Sequence, residues 1–289
     1  MPKKFIQDTI AIVYDFDGTL TPKPMQDYAI LPKLGIDADS FWAEVGQEVR
    51  KTGAENMLVY MRKLLEKAQE KQVNITREDY AELASHIKYY AGVEQWFDLI
   101  DHYIKQRSPD TKIKHYVVSA GMKEILEGIE IKDKFSNIYA SEYYFNFQGI
   151  ATFPKLVITD TSKTQFLFRI NKGIENLSES INGHMGESER PVPFDNIIYI
   201  GDGLTDVPSM ALAKKEGGHA IAVYKDKNER QRNICQDLLG AGRVDFIAKA
   251  DYREGQELHQ RTLLLLNNII SGIEYKRELF KCKKQNQLI

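Results

Sequence analysis

Short apolar runs that stop at turn-forming residues recur along the chain, and such runs predict buried β-strands. The first run covers residues 10–14 and leads directly into Asp15 and Gly18. Aromatic and β-branched runs on both sides of Gly149, within residues 143–159, predict a hairpin. The remaining predicted strands lie at residues 115–121, 137–140, 196–200, 219–224 and 245–249.

Between these runs, apolar residues recur at the spacing of one helix face. This pattern predicts helices over residues 93–107, 122–129 and 257–279, and a further helix that opens at Lys163. The polar stretch 177–193 predicts an exposed loop. Strands that alternate with helices are typical of an α/β fold built around a parallel sheet.

The stretch 22–91 differs from the rest because it shows helical spacing and no strand pattern. Ser40 is expected to cap a helix that begins at Phe41. Thr76 is followed after three residues by Asp79, which is the spacing of a capping box.

Two interpretations of this helical stretch are open. It is either a separate unit inserted after the first strand or a set of helices that extends the core. We expect an insertion, with residues 1–21 and 92–289 forming the core domain and residues 22–91 forming a helical domain.

Composition sets the broad class of the protein. With 289 residues, of which 43% are apolar, the chain can form one or two domains with a sizeable core. The charges nearly balance, 39 basic against 41 acidic residues, so no nucleic-acid or membrane partner is indicated. The two cysteines, the absence of a signal-peptide pattern and the absence of a membrane-spanning apolar run favour a cytoplasmic protein.

Carboxylates follow two of the predicted strands. The first strand leads into Asp15 and Asp17, within the pattern D-x-D-G-T, and the strand at 196–200 leads into Asp202 and Asp206, within G-D-x-x-x-D. In parallel sheets, ligands bind where the strands end, so these carboxylates are expected to share a site. The simpler alternative is a pair of Asp-rich turns, but two such motifs after two apolar strands make coincidence a poor explanation.

Two further groups suit an anionic ligand. The strand at 115–121 ends with Ser119 and Gly121, although a serine there could instead cap the following helix. Lys163 opens a helix, where its charge opposes the helix dipole, so its amine is expected to face an anion. Lys155 and Lys172 are the alternative lysines for that role.

These motifs, in this order, resemble those of the haloacid dehalogenase (HAD) superfamily, and more closely its phosphoserine-phosphatase-like branch. The resemblance implies a Rossmann-like three-layer α/β core with a central parallel sheet, plus a helical cap domain inserted after the first strand. It also implies a magnesium-dependent phosphatase. The cap residues that read phosphoserine in that branch have no clear counterpart here, and Arg50 and Arg62 are only positional candidates.

The resemblance also implies a role for each motif residue. Asp15 would be the nucleophile, and Asp17 a general acid and base whose pKa is raised by the crowding of carboxylates. Thr19 would hold the Asp17 carboxyl. The expected phosphoryl-binding residues are Thr19, Ser119, Gly121 and Lys163, and the expected Mg²⁺ ligands are Asp15, the Asp17 carbonyl, Asp202 and, through water or as an anchor, Asp206.

The leading hypothesis is therefore a phosphatase that hydrolyses a small phosphorylated metabolite through an aspartyl-phosphate. A phosphotransferase or mutase of the same family, in which another acceptor replaces water, is the first alternative. A binding protein for phosphorylated ligands that has lost catalysis is the second, but Asp15, Asp17 and Lys163 are all present. The sequence leaves the oligomeric state open.

Overall fold

The computed structural model describes residues 4–286 of the chain. Its centre is a seven-stranded sheet in the order β4-β3-β2-β1-β5-β6-β7, in which only the β3–β4 pairing is antiparallel. The strands are β1 (Thr9–Tyr14), β2 (Lys112–Met122), β3 (Asn137–Phe145), β4 (Ala151–Leu156), β5 (Ile197–Gly201), β6 (His219–Tyr224) and β7 (Phe246–Lys249). The predicted α/β fold with a largely parallel sheet is confirmed.

Helices occupy most of the connections between the strands. A run of five helices separates β1 from α6, so the stretch after the first strand is helical as predicted. The helices are α1 (Met25–Tyr28), α2 (Ile30–Lys33), α3 (Ala38–Thr52), α4 (Asn56–Glu70), α5 (Arg77–Leu83), α6 (Val93–Arg107), α7 (Lys123–Leu126), α8 (Lys163–Lys172), α9 (Val207–Lys215), α10 (Glu229–Gly240) and α11 (Glu257–Asn286).

Strand β1 lies in the middle of the sheet and every one of its residues is buried. Its last residue, Tyr14, is in register with Val117 of β2 and with Ile200 of β5. The backbone N–H of Asp15 still donates to the Ile200 carbonyl, at 2.9 Å. The residues that follow β1, β2 and β5 therefore emerge at one edge of the sheet, where ligand sites form in this class of fold.

Helices α1 to α5 pack against that same edge. The Tyr143 hydroxyl, on β3, donates to the Met61 carbonyl on α4 at 2.7 Å. One continuous apolar cluster contains residues of the strands, such as Ile12, together with residues of the helical stretch, such as Phe41 and Leu64. Burial of this kind contributes about 25 cal/mol per Å² of apolar surface, so the helical stretch is firmly attached to the sheet.

Several predicted boundaries were wrong. The helix predicted to begin at Phe41 begins at Ala38, because the carboxylate of Asp37, rather than the Ser40 hydroxyl, caps it by accepting the Ser40 N–H. The helix predicted at 122–129 is confined to α7 because β2 runs on to Met122.

Two other elements are longer than predicted. The strand predicted at 137–140 and the first arm of the hairpin form one strand, β3, which turns through Gly149 into β4. Helix α11 runs to Asn286, whereas the sequence predicted an end at residue 279. Residues 287–289 lie outside the described part. Within residues 4–286, no helix combines the length and apolar character needed to cross a membrane.

Candidate active site

The carboxylates that follow β1 and β5 meet at the edge of the sheet. Asp15, Asp202 and Asp206 each place a carboxylate oxygen within 4.8 Å of those of the other two. Asp15 and Asp206 are buried and Asp202 is partly buried. Three carboxylates so close together repel one another unless positive charge lies between or beside them.

Lys163 supplies positive charge from the opening turn of α8. Its Nζ lies 2.7 Å from Oδ1 of Asp15 and 2.7 Å from Oδ1 of Asp206, and only 1% of the residue is exposed. Burial alone would lower the pKa of Lys163, but the charges of Asp15 and Asp206 outweigh it and raise that pKa. The amine is therefore held as an ammonium group beside Asp15.

The two rival lysines face other partners. Lys155 pairs with Glu142 at 2.8 Å, and Lys172 donates to the backbone carbonyls of Ile181 and Gly183. Neither lines the cavity described below. Lys163 is thus the lysine that the fold brings to the carboxylates, as the sequence predicted.

Both carboxylate oxygens of Asp206 accept hydrogen bonds from other groups of the protein. Its Oδ1 accepts from Lys163 and from the Tyr199 hydroxyl, the latter at 2.7 Å, and its Oδ2 accepts from the backbone N–H of Asp202 at 3.2 Å. Gly201 leaves the room for this, since a Cβ there would lie 2.4 Å from Asp206 Oδ2. Of the two roles considered for Asp206, the arrangement favours that of an anchor that positions Lys163 and Asp202.

Burial and repulsion between the carboxylates raise the pKa values of the other two members of this cluster, Asp15 and Asp202. Burial, together with the charge of Asp206, raises the pKa of Asp15 to about 6 despite the opposing effect of Lys163. Burial and the charges of Asp15 and Asp206 also raise the pKa of Asp202 well above its ordinary value. One ammonium group does not neutralise this cluster, which leaves it suited to a cation.

The carboxyl group of Asp17 points toward α1 and accepts from the backbone N–H of Met25 at 2.7 Å. Burial is the main reason why the pKa of Asp17 is raised, and the charge of Asp15 is the second. The sequence predicted the direction of this shift but assigned it to crowding alone. A raised pKa favours the protonated form that a general acid needs.

Thr19 does not contact the Asp17 carboxyl, so that prediction was wrong. Its hydroxyl donates instead to Oδ2 of Asp15, at 3.4 Å. The turn after β1 buries Thr19 completely, and it is not among the residues that line the cavity. Its position makes it a support for the Asp15 carboxylate.

Ser119 and Gly121, near the end of β2, line the same cavity as Lys163. Ser119 Oγ accepts from the Gly121 N–H at 2.9 Å, and within residues 4–286 no group accepts the serine proton. That proton remains available for a ligand oxygen. A Cβ at Gly121 would come within 2.1 Å of Met25 Cε, so a larger residue there would force the Met25 side chain of α1 to move.

Gly18 permits a second close approach. Its φ is +85°, and a Cβ at this position would lie 2.2 Å from Asp202 Oδ2. Any side chain would therefore push Asp202 away from the turn that carries Asp15 and Asp17. This glycine of the first motif keeps the two acidic motifs in contact.

Six of the predicted site residues face a cavity of about 310 Å³ between the sheet edge and helices α1, α3 and α4, namely Asp15, Asp17, Ser119, Gly121, Lys163 and Asp202. The volume is at the small end of the range of about 300–1,000 Å³ typical of ligand pockets. The lining residues are Asp15, Asp17, Pro24, Gln26, Trp42, Met57, Tyr60, Ser119, Ala120, Gly121, Asp160, Lys163, Asp202 and Thr205. Arg50 and Arg62 are absent from this set, and Arg62 instead pairs with Glu48 and Glu66.

A divalent cation suits the donor set. The Asp17 carbonyl, predicted as a ligand, accepts no hydrogen bond from residues 4–286. Asp202 Oδ1 is likewise free of such bonds, whereas its Oδ2 accepts from Gln231 Nε2 at 2.8 Å. Oxygen donors from carboxylates and carbonyls are those that Mg²⁺ prefers, so Asp15, Asp17 and Asp202 fit that ion.

Sequence reasoning missed two supports of this site. Tyr199, inside the apolar strand β5, donates to Asp206, and its hydroxyl was a usable signal because a buried tyrosine usually needs a partner. Gln231 contacts Asp202 from α10, across a separation of 29 residues, and carried no local signal.

Comparison with known proteins places this geometry in a family. The family described as haloacid dehalogenase-like hydrolase matches residues 12–211, more than half of the chain. The chain belongs to the haloacid dehalogenase-like hydrolase family. The matched region spans both acidic motifs and Lys163, and the prediction of an enzyme of this family is confirmed.

Individual proteins are similar to this chain over most of its length. An uncharacterized protein of Borreliella burgdorferi is 29% identical over 280 residues, which cover 88% of this chain and 95% of that protein. A HAD-family hydrolase from Salmonella enterica serovar Typhi superposes with a TM-score of 0.54 at 15% identity, over 81% of this chain and 67% of that chain.

A phosphoserine phosphatase solved with an analogue of its phospho-aspartyl intermediate also has a TM-score of 0.54, at 17% identity, over 88% of this chain and 97% of that one. An apo phosphoserine phosphatase has a TM-score of 0.53 at 18% identity, over 85% of this chain and 96% of that chain. At these identities the similarity establishes the fold, which agrees with the predicted phosphoserine-phosphatase-like branch.

Proposed function

We propose that this protein is a magnesium-dependent phosphatase that hydrolyses a small phosphorylated metabolite through an aspartyl-phosphate on Asp15. The observation that carries the proposal is the buried contact of 2.7 Å between Lys163 Nζ and Asp15 Oδ1, two residues that line a cavity. A carboxylate beside an ammonium group and a cation site is suited to attack on a phosphoryl group, because the positive charges reduce the repulsion from its oxygens.

In the first step, an Asp15 oxygen forms a bond to phosphorus while the bond from phosphorus to the ester oxygen breaks. The leaving oxygen takes the electron pair of that bond and the proton of Asp17. Burial and the neighbouring Asp15 favour the protonated form of Asp17 that this transfer requires. Ser119 and Lys163 would hold the oxygens of the transferring group.

In the second step, the ionised Asp17 takes a proton from water. The water oxygen forms a bond to phosphorus as the bond to the Asp15 oxygen breaks, which releases phosphate and restores the carboxylate. Thr19 and Lys163 contact the two Asp15 oxygens and would keep the regenerated carboxylate in place. Asp206 would fix Lys163 throughout.

Asp15, the Asp17 carbonyl and Asp202 would hold the magnesium ion, with Gln231 and Asp206 orienting Asp202. When bound, the ion would offset the charge of the carboxylates and of the phosphoryl oxygens. Asp202 Oδ1 and the Asp17 carbonyl have no competing donors among residues 4–286, which supports this assignment.

Residues 22–91 would act as a cap that limits the access of water during the first step. The cavity lies between helices of this segment and the sheet edge, which supports that role. A cytoplasmic setting suits the cysteines, because Cys235 and Cys282 are not joined in a disulfide.

The test is phosphate release from p-nitrophenyl phosphate and a panel of phosphorylated metabolites, with and without Mg²⁺. We expect turnover that EDTA abolishes and added Mg²⁺ restores. Asp15→Asn should lose activity by at least about 10³-fold while its thermal unfolding stays cooperative, because the nucleophile is gone. Deamidation must be excluded by mass spectrometry.

Asp98→Asn is the matched control, since Asp98 is exposed and contacts Lys134 on the surface. It should retain the activity of the unmodified protein. Activity of Asp15→Asn equal to that of Asp98→Asn would contradict the proposal. Turnover that needs an added alcohol, with transfer of the phosphoryl group to it, would instead identify a phosphotransferase.

A further inference from the structure

The wall of the cavity that faces the carboxylates has an unusual composition. Helices α1, α3 and α4 and the turn before α1 contribute the five lining residues of this wall, and none of them is charged. They are Pro24, Gln26, Trp42, Met57 and Tyr60. Since the phosphoryl group belongs at the opposite, carboxylate end, this wall faces the part of the substrate that leaves.

Two aromatic rings dominate the wall and are held in place. The ring centroids of Trp42 and Tyr60 are 5.7 Å apart, with the rings tilted by 55°. Trp42 Nε1 donates to Asp27 Oδ1 at 3.0 Å, and Tyr60 is only 1% exposed. Trp42 is the partly exposed member of this pair, so its fixed ring offers a flat apolar surface that a ligand can cover without ordering a mobile side chain.

Gln26 adds one polar group to this surface. Its Nε2 approaches the Tyr60 hydroxyl at 3.4 Å, so the amide is oriented by its neighbour. No donor in the described part of the chain reaches Gln26 Oε1. A hydroxyl or N–H of a neutral ligand could therefore donate to it, whereas a carboxylate has no proton to offer.

The charges around the cavity disfavour a second anionic group. Asp15, Asp17, Asp160 and Asp202 line it, and Lys163 is the sole basic residue in the lining. Lys163 is already shared between Asp15 and Asp206. A carboxylate beyond the phosphoryl group would thus lie against aromatic rings and near acidic residues, with no cation to compensate its desolvation.

The basic residues of the neighbouring helices do not change this balance. Lys63 is paired with Glu44 and Glu48, and Arg62 with Glu48 and Glu66, on the helix surface. None of these residues lines the cavity. The positive charges of Arg62 and Lys63 on α4 are therefore compensated by acidic residues of α3 and α4.

We propose that the site selects phosphate monoesters of uncharged alcohols that carry a single apolar ring, and that it discriminates against alcohols that carry a carboxylate or a second phosphate. This inference rests on the proposed phosphatase function, because it describes the leaving group of that reaction. The cavity of about 310 Å³ limits the size of the alcohol once the phosphoryl group is accommodated. Trp42, Tyr60 and Gln26 would determine the specificity.

The direct test compares kcat/KM for phenyl phosphate with that for 4-carboxyphenyl phosphate, at saturating Mg²⁺. The two esters share the ring and the phosphoryl group and differ in one carboxylate at the far end. We expect phenyl phosphate to be favoured by at least about tenfold, a typical size for one uncompensated buried group. A ratio of one, or a preference for the carboxylated ester, would overturn the inference.

Met57→Arg supplies the missing cation on the half-buried side of the wall. It should shift the ratio toward 4-carboxyphenyl phosphate by about tenfold, because a charge-assisted hydrogen bond then becomes available. Leu264→Arg adds the same charge on α11, where Leu264 is 60% exposed, and should leave the ratio unchanged. Equal ratios in the two variants would count against the inference.

Trp42→Ala provides a second readout. The ratio of kcat/KM for phenyl phosphate to that for methyl phosphate should fall by about tenfold, mainly through KM, since methyl phosphate has no ring to pack on the indole. Tyr275→Ala, which truncates an aromatic side chain that is 69% exposed, is the control. An unchanged ratio in Trp42→Ala would contradict the assigned role of the aromatic wall.

The outcomes for the two proposals differ. Absence of hydrolysis of every ester, including methyl phosphate and p-nitrophenyl phosphate, would overturn the phosphatase function and this inference with it. Mg²⁺-dependent hydrolysis that favours the carboxylated ester would leave the phosphatase function standing and overturn the inference alone.

Discussion

Lys163 Nζ lies 2.7 Å from Asp206 Oδ1, although the two residues are 43 positions apart and belong to different motifs. Tyr199 donates to the same oxygen of Asp206, so the carboxylate that pairs with the ammonium group is itself held in place. Asp206 is fully buried and Lys163 is 1% exposed. The position of Lys163 relative to Asp15 therefore depends on a residue that need not touch the substrate.

Removal of Lys163 should affect stability as well as catalysis. Lys163→Met leaves Asp15 and Asp206 buried without their cation, which typically costs about 3–5 kcal/mol of unfolding free energy. Lys155→Met is the matched control, because its pair with Glu142 is exposed on the lysine side and should contribute at most about 1 kcal/mol. Urea unfolding in the presence of EDTA measures the unfolding free energies of both variants. Equal stabilities of the two variants would contradict the buried ion-pair network.

Gln231 should act on the metal site through Asp202. Its amide donates to Asp202 Oδ2 at 2.8 Å and accepts the backbone N–H of Lys225 at 2.8 Å, which fixes its orientation. Gln231→Leu should raise the Mg²⁺ concentration for half-maximal activity by about 10-fold or more, as loss of such supports commonly does. Gln236→Leu, at an exposed position of the same helix, should leave that Mg²⁺ concentration unchanged. A Mg²⁺ dependence shared by both variants would exclude the positioning role.

Tyr14 joins the strand that carries Asp15 to a buried polar chain. Its hydroxyl accepts from Trp96 Nε1 at 2.8 Å and lies 2.9 Å from His115 Nδ1, while His115 Nε2 lies 2.9 Å from Asp101. The tyrosine proton must then point to Nδ1, which makes Nε2 the protonated nitrogen of His115.

Tyr14→Phe leaves both Trp96 and His115 without their buried partner. The unfolding free energy should fall by about 1–3 kcal/mol, the usual cost of an unsatisfied buried group. Urea unfolding gives the value, and Tyr275→Phe, at an exposed position, serves as the control. A loss no larger than that of the control would show that the chain of hydrogen bonds is not formed.

Asp245 should make stability depend on acid pH. Burial would raise its pKa, but the nearby His219 ring and hydrogen bonds from Lys214 and the Ala220 N–H outweigh burial and lower that pKa to about 2, from 3.8. A carboxyl group whose pKa is depressed in the folded state stabilises the fold at pH values above its pKa in the unfolded state. This contribution is lost as the pH falls from 3.8 toward 2.

Asp245→Asn should therefore lower the unfolding free energy by about 1–2 kcal/mol near neutral pH, with the difference shrinking below about pH 4. Asp226→Asn, which removes an exposed partner of Lys249, is the control and should show a smaller effect. A difference between Asp245→Asn and the unmodified protein that is constant from neutral to acid pH would contradict the assigned shift.

The features that could be predicted from sequence are those that a local pattern specifies. The apolar run before Asp15 predicted a buried strand, and the sheet edge then brought Asp15 and Asp202 together as parallel topology requires. Lys163 stood out because its charge opposes the dipole of the helix that it opens. Its role in the reaction remains a prediction.

Other features depend on side-chain direction or on distant residues. The sequence offered Thr19 two nearby carboxylates, and the turn geometry directs its hydroxyl to Asp15 rather than Asp17. Ser40 was predicted to cap the helix, but the Asp37 carboxylate caps it three residues earlier, so the helix begins at Ala38. Gln231 and the aromatic wall could not be predicted, because their contacts exist only after the chain has folded.

The most direct test of the central claim is the detection of a phosphoryl group on Asp15 during turnover. The protein is mixed with phenyl phosphate and Mg²⁺, quenched with acid within milliseconds, digested and analysed by mass spectrometry. We expect a fraction of the peptide that contains Asp15 to gain about 80 Da, the mass of one phosphoryl group, and Asp15→Asn to show none. Turnover without any such adduct, or with the adduct on another residue, would contradict the account.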